Sequence, residues 1–109
     1  MAVSTNLGFT YLETSQSQKE VTINAALQKI DILLNGAVKD KDLATPPGSP
    51  AAGDLYIVAG SPTGDWTGHA GDLAYYLDST WKFIDPKEGC IVYVADEDAI
   101  YTFNGTAWF

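Results

Sequence analysis

Tyr75-Tyr76-Leu77-Asp78-Ser79-Thr80-Trp81-Lys82-Phe83 is the stretch on which the fold turns, because its pattern returns at the end of the chain as Ile100-Tyr101-Thr102-Phe103-Asn104-Gly105-Thr106-Ala107-Trp108-Phe109. Both read as an aromatic strand, an Asp or Asn turn, Thr, then Trp and Phe, with one residue more in the second loop. A tight hairpin lets a Trp on the return strand cover an aromatic on the outgoing one, a cross-strand pair that stabilises a sheet too small for a deep core. Asn104-Gly105 is the strongest short hairpin signal. Further strand patterns stand at Asp54–Ala59, Gly71–Leu77 and Cys90–Ala95, broken by Gly60-Ser61-Pro62-Thr63-Gly64 and by Asp96-Glu97-Asp98. Residues 54–109 therefore read as a compact antiparallel sheet.

Upstream, the period changes from two to about three and a half residues. Ile23, Leu27, Ile30 and Leu34 recur at spacings of four, three and four, and Ala37 extends the stripe if the helix runs on. Ser17-Gln18-Lys19-Glu20 fits a capping box, and Asn35-Gly36 supplies a stop through the left-handed cap glycine adopts freely. The spacing is that of a coiled-coil seam, compatible with two or more parallel strands. About two heptads are marginal alone, so the same face can equally dock on the chain's own sheet, and Val21, Ala26 and Leu33 broaden it beyond a strict seam.

These readings give an α+β fold: an N-terminal amphipathic helix followed by a small antiparallel β-domain of repeated aromatic hairpins. Residues 1–38 are lead-in and helix, 39–53 a Pro/Gly-rich surface linker, and 54–109 the β-domain, with helix and sheet as one structural unit. A chain of 109 residues has room for one modest core.

The formal charge of −8 is concentrated in the second half, where Lys82 and Lys87 face nine acids. With no Arg and no basic cluster, neither nucleic acid nor an anionic membrane surface is an expected partner. The first residues offer no positively charged leader segment, and no apolar run approaches the roughly 20 residues needed to span a bilayer. Cys90, the single cysteine, cannot form an internal disulfide and reads as a buried strand residue.

No catalytic constellation is assembled by the sequence, and no cofactor or metal is expected. Trp81 and Trp108 are expected in the core. Trp66 lies in the glycine-rich Gly64-Asp65-Trp66-Thr67-Gly68-His69-Ala70-Gly71, where a large ring is either a plug over the core or a contact residue. If the surface binds sugar, Trp66, Tyr76 and Trp81 are the stacking candidates, with Asp65, His69 and Asp72 as hydroxyl partners.

Ser15-Gln16-Ser17-Gln18-Lys19-Glu20-Val21-Thr22-Ile23-Asn24-Ala25-Ala26-Leu27 resembles a "GQAQKEVTVNEAL" signature. It is followed by Pro47, by Pro50 with Gly53-Asp54-Leu55-Tyr56-Ile57-Val58, by Gly64–Gly71, and by Trp81-Lys82-Phe83 with Pro86. That order is similar to a domain of unknown function associated with phages and gene transfer agents, found in tail fibres, tailspikes and head spikes. Ala25 departs from the signature, which usually carries Glu there. The resemblance implies a virion component made in the bacterial cytoplasm. Its expected role is to anchor and oligomerise a fibre or spike, with a homotrimer favoured, through Ile23, Leu27, Ile30 and Leu34. The alternative it leaves is a carbohydrate-binding module for host surface polysaccharide. It carries no catalytic residues.

Overall fold

The computed structural model describes residues 2–109; Met1, the first residue of the lead-in, lies outside the described residues. Helix α1 spans Lys19–Asn35 and is followed by strands β1 (Ala37–Val38), β2 (Leu55–Ile57), β3 (Leu73–Leu77), β4 (Thr80–Ile84), β5 (Ile91–Val94) and β6 (Ala99–Thr102). All six form one sheet in the order β4-β3-β2-β1-β5-β6.

This sheet is mixed, which corrects the expected antiparallel domain. β2-β3-β4 and β5-β6 are antiparallel wings, but β1 lies between them and runs parallel to both β2 and β5. Its two residues are the keystone: Val38 pairs with Leu55 on one side and Val94 on the other, and is fully buried. A parallel neighbour requires a crossover connection rather than a tight turn. The stretch 39–54 makes that return, and its first half stays hydrogen-bonded along β2. There the Lys39 amide donates to the Leu55 carbonyl, Ile57 to Asp40, and Ala59 to Leu43.

The helix boundaries correct two further expectations. No side chain caps the start: Gln18 is left-handed, and Ser17 makes no capping bond. Gln16 ties this end instead, its Oε1 accepting from the Glu13 amide at 2.9 Å and its Nε2 donating to Thr22 Oγ1 at 2.8 Å. The stop falls at Gly36 as read, by another cause. Gly36 is extended rather than left-handed, and its amide still donates to the Ile32 carbonyl at 2.9 Å. A Cβ there would sit 2.4 Å from that carbonyl oxygen and 3.2 Å from Leu55 Cδ2, so glycine is required by close approach. Ala37 consequently leaves the helical stripe and enters β1.

The hairpins follow their turn chemistry. Leu77 pairs with Thr80 across Asp78 and Ser79, both at positive φ, the backbone that a two-residue hairpin needs to match the sheet's twist. Tyr76 faces Trp81 with ring centroids 5.2 Å apart. In the second repeat Phe103 bridges to Trp108 with rings 5.1 Å apart, while Asn104 Oδ1 accepts from the Thr106 and Ala107 amides. Both repeats thus close on the aromatic pair that the sequence proposes.

The two sheet faces are covered differently. One carries the main core of Ile32, Val38, Leu55, Ile57, Leu73, Tyr75, Ile84, Val92 and Val94, with Trp108 packed against it. Trp108 Nε1 also donates to the Gly71 carbonyl at 2.9 Å, joining the end of the chain to the entry of β3. On the opposite face Tyr56 and Ala74 pack beneath Trp66 together with Val58, flanked by Trp81 and Phe83. The radius of gyration is 14.4 Å, against about 13 Å for a compact chain of this length, so the body is somewhat elongated.

Candidate functional site

Within α1 only Ile32 is buried, and it belongs to the main core. At about 100° per residue, Ile23, Leu27, Ile30 and Leu34 lie roughly 140–180° around the helix from Ile32. All four are exposed, at 44, 55, 38 and 80% respectively. The side of the helix that docks on its own sheet is therefore not the seam side. Ala26 and Leu33 are half-buried, and Val21 is exposed.

A polar tether fixes the helix against the first hairpin. Lys82 Nζ donates to Gln28 Oε1 and to Asp78 Oδ2, each at 2.8 Å, and Gln28 Nε2 donates to the same carboxylate oxygen at 3.2 Å. These hydrogen bonds, that of Lys82 first, hold the Asp78 carboxyl below its ordinary value, and the charge of Lys82 adds to them. Together with Ile32, the tether sets the direction in which the apolar stripe points.

The glycine-rich loop forms a short 3-10 turn at Gly64–Trp66 that drives the indole of Trp66 inward. Trp66 is fully buried, with the Tyr56 and Trp81 rings at 5.6 and 5.2 Å. Of the two readings open for this residue, the plug is the one found. A sugar has no ring face to stack on here. The His69 ring stacks on Phe83 at 3.5 Å, and His69 Nδ1 lies 3.0 Å from Asp72 Oδ2. Asp65 is exposed, while Tyr76 and Trp81 are half-buried and packed edge to face on each other. The loop brings His69 and Asp72 together and buries Trp66 against Tyr56 and Trp81.

The remaining chemistry-bearing groups are spread out. Cys90 is half-buried just before β5 and packs on the main core, and burial pushes its thiol up, away from the reactive thiolate. At the β5–β6 tip, partial desolvation and the nearby charges of Asp40 and Glu97 raise the Asp96 carboxyl. Lys41 bridges Asp42 and Glu97 at 3.2 and 3.5 Å. Among the described residues no group of three or more His, Cys, Asp or Glu could hold a metal ion, and no helix is long and apolar enough to cross a membrane.

A second apolar surface was missed in the sequence. Ile91 and Tyr93 on β5 and Ile100 on β6 share one face, with Tyr93 and Ile100 directly paired, and all three are exposed. Ile91-Val92-Tyr93-Val94 is apolar on both faces and so reads as a buried strand. The signal that could have flagged it is the excess of apolar residues for a wing of two strands.

Residues 23–109 match a family model described as "Protein of unknown function (DUF2793)". The chain belongs to this family. The match begins at Ile23, so most of the Ser15–Leu27 signature precedes it, and the family description states no function. A search of curated proteins gives no match.

Proposed function

We propose that this domain is a non-enzymatic structural module that associates copies of a phage or prophage fibre or spike through α1 and anchors them in the virion. The observation that carries the reading is the exposure of Ile23, Leu27, Ile30 and Leu34 on the helix side opposite Ile32. Soluble folds seldom leave such a row uncovered, and fully burying one Leu or Ile side chain is worth about 1.5–3 kcal/mol. The three-four alternation places Leu27 and Leu34 at heptad position a, and Ile23 and Ile30 at d. Leu at a with Ile at d shifts preference from two strands to three or four, and the association proposed is a trimer. The virion placement rests on the resemblance of the helix signature and of the motif order behind it.

Multi-angle light scattering of the purified domain is expected to give three times the chain mass, and Leu27→Asp to return it to one. A wild-type protein that runs as a monomer at high micromolar concentration removes the seam. Antiserum to the domain is expected to label purified particles, and unlabelled particles would remove the virion placement independently.

A further inference from the structure

We propose that the uncovered face of the β5–β6 wing, beside the end of α1, is a docking seat for the C-terminal turn of α1 from a second copy of this chain. The inference deepens the oligomer reading above and rests on it. Leu34, Ile91, Tyr93 and Ile100 line a shallow groove of about 310 Å³ between the last helical turn and the wing. Leu34, Ile91 and Ile100, at 80, 61 and 69%, are among the most exposed large apolar side chains of the described residues.

Three observations identify the occupant. The first is continuity. Leu34 is both the last residue of the helical stripe and a wall of the groove, so a parallel neighbour lying along the stripe reaches the groove with its own last turn. The second is charge. Each copy carries a formal −8, so copies repel except where the contacting surface is neutral. No charged side chain lines this groove, whereas four other surface grooves include Lys29, Lys41, Lys87 with Glu88, or Asp31. The third is the asymmetry between the wings. Trp66 and its loop close the same face of the β2-β3-β4 wing, and among the described residues no segment covers Ile91, Tyr93 and Ile100 on β5–β6, all three being exposed. The Tyr93 hydroxyl already donates to Asp98, so its ring can be covered without stranding a polar group.

The test uses the full chain with Cys90→Ser as background. Ile100→Asp is expected to weaken self-association at least tenfold by sedimentation, and Ile100→Thr, which keeps a β-branched strand residue, to weaken it measurably with an unchanged far-UV spectrum. Mixing separately tagged Leu34→Cys and Ile100→Cys proteins under mild oxidation is expected to give the mixed disulfide, a contact that only neighbouring copies can make. If Leu27→Asp dissociates the protein while both Ile100 variants keep wild-type mass and no mixed disulfide forms, the seat is overturned and the seam stands. A monomeric wild type overturns both.

Discussion

Trp66 offers the sharpest separation between a structural and a sugar-binding role for the glycine-rich loop. Its indole is fully buried between Tyr56 and Trp81, and its Nε1 has no hydrogen-bond partner among the described residues. Trp66→Ala removes the whole ring from a closed site, a class of change that costs about 3–5 kcal/mol. For a domain whose entire stability is expected near 5–15 kcal/mol, that is a large share. At roughly 4–8 °C per kcal/mol for domains near this size, the melting temperature should fall by about 15 °C or more. Trp66→Phe behaves differently. It forfeits part of the ring contact but also deletes an unpaired buried N–H, whose desolvation costs about 1–3 kcal/mol. The two terms oppose each other, so the Phe variant should lose less than half of what the Ala variant loses. Far-UV circular dichroism melts of the three proteins, with urea titrations for the free energies, measure both steps. An Ala variant melting within about 2 °C of wild type would refute the plug. So would a polysaccharide-dependent quench of native fluorescence that vanishes in the still-folded Phe variant.

The remaining expectations concern the ends and the tether of α1. Gly36→Ala places a methyl 2.4 Å from the Ile32 carbonyl oxygen, a backbone atom that cannot swing aside, and should cost about 1–3 kcal/mol in urea unfolding; an unchanged midpoint would show that the helix end relaxes freely. Asp78 is held below its ordinary carboxyl value by Lys82 and Gln28, so its contribution is present above 3.8 and is lost as the pH falls through the lower folded value. Asp78→Asn keeps a residue that tolerates the left-handed turn, and the wild-type advantage in melting temperature over it should shrink on going from neutral pH to about pH 3. A difference that stays flat over that range would remove the tether from the account.

What the sequence reveals and what it hides have physical causes. The hairpins are legible because their turns demand particular residues: Asp78-Ser79 and Asn104-Gly105 adopt or brace backbone that few others tolerate, and the Trp five positions after an aromatic marks the return strand. β1 is not legible. Two residues directly after a helix carry no period, and Val38 becomes a strand only because β2 and β5 arrive from far along the chain to bind it. The capping box matches in letters yet does not form: Gln18 at the start is left-handed with no side-chain cap, and it is Gln16, through Thr22 Oγ1, that reaches the first turn. At the candidate site the apolar stripe of Ile23, Leu27, Ile30 and Leu34 is readable from spacing alone. Their exposure is not, because it depends on Ile32, the residue on the far side, being the one the sheet takes.

That division of faces bears on why the helix and the sheet are joined as they are. β1 follows α1 with only Gly36 between them and sits at the centre of the sheet, hydrogen-bonded on both sides. The end of the helix is thus anchored at the most constrained point of the body, while Gln28 is pinned to the first hairpin by Lys82 and Asp78. Two attachments along one helix fix its axis, and Ile32 fixes its rotation. A stripe held in this way loses little further freedom on association, which lowers the entropic cost that makes short isolated coiled coils marginal. Fewer than three heptads can therefore suffice where a free peptide of that length would not. It follows that loosening the tether should weaken association even though Gln28, Asp78 and Lys82 lie off the seam. Lys82→Met, which keeps the aliphatic stem, is expected to raise the dissociation constant several-fold while leaving the isolated fold intact. An unchanged constant would mean that the seam acts without the sheet's help.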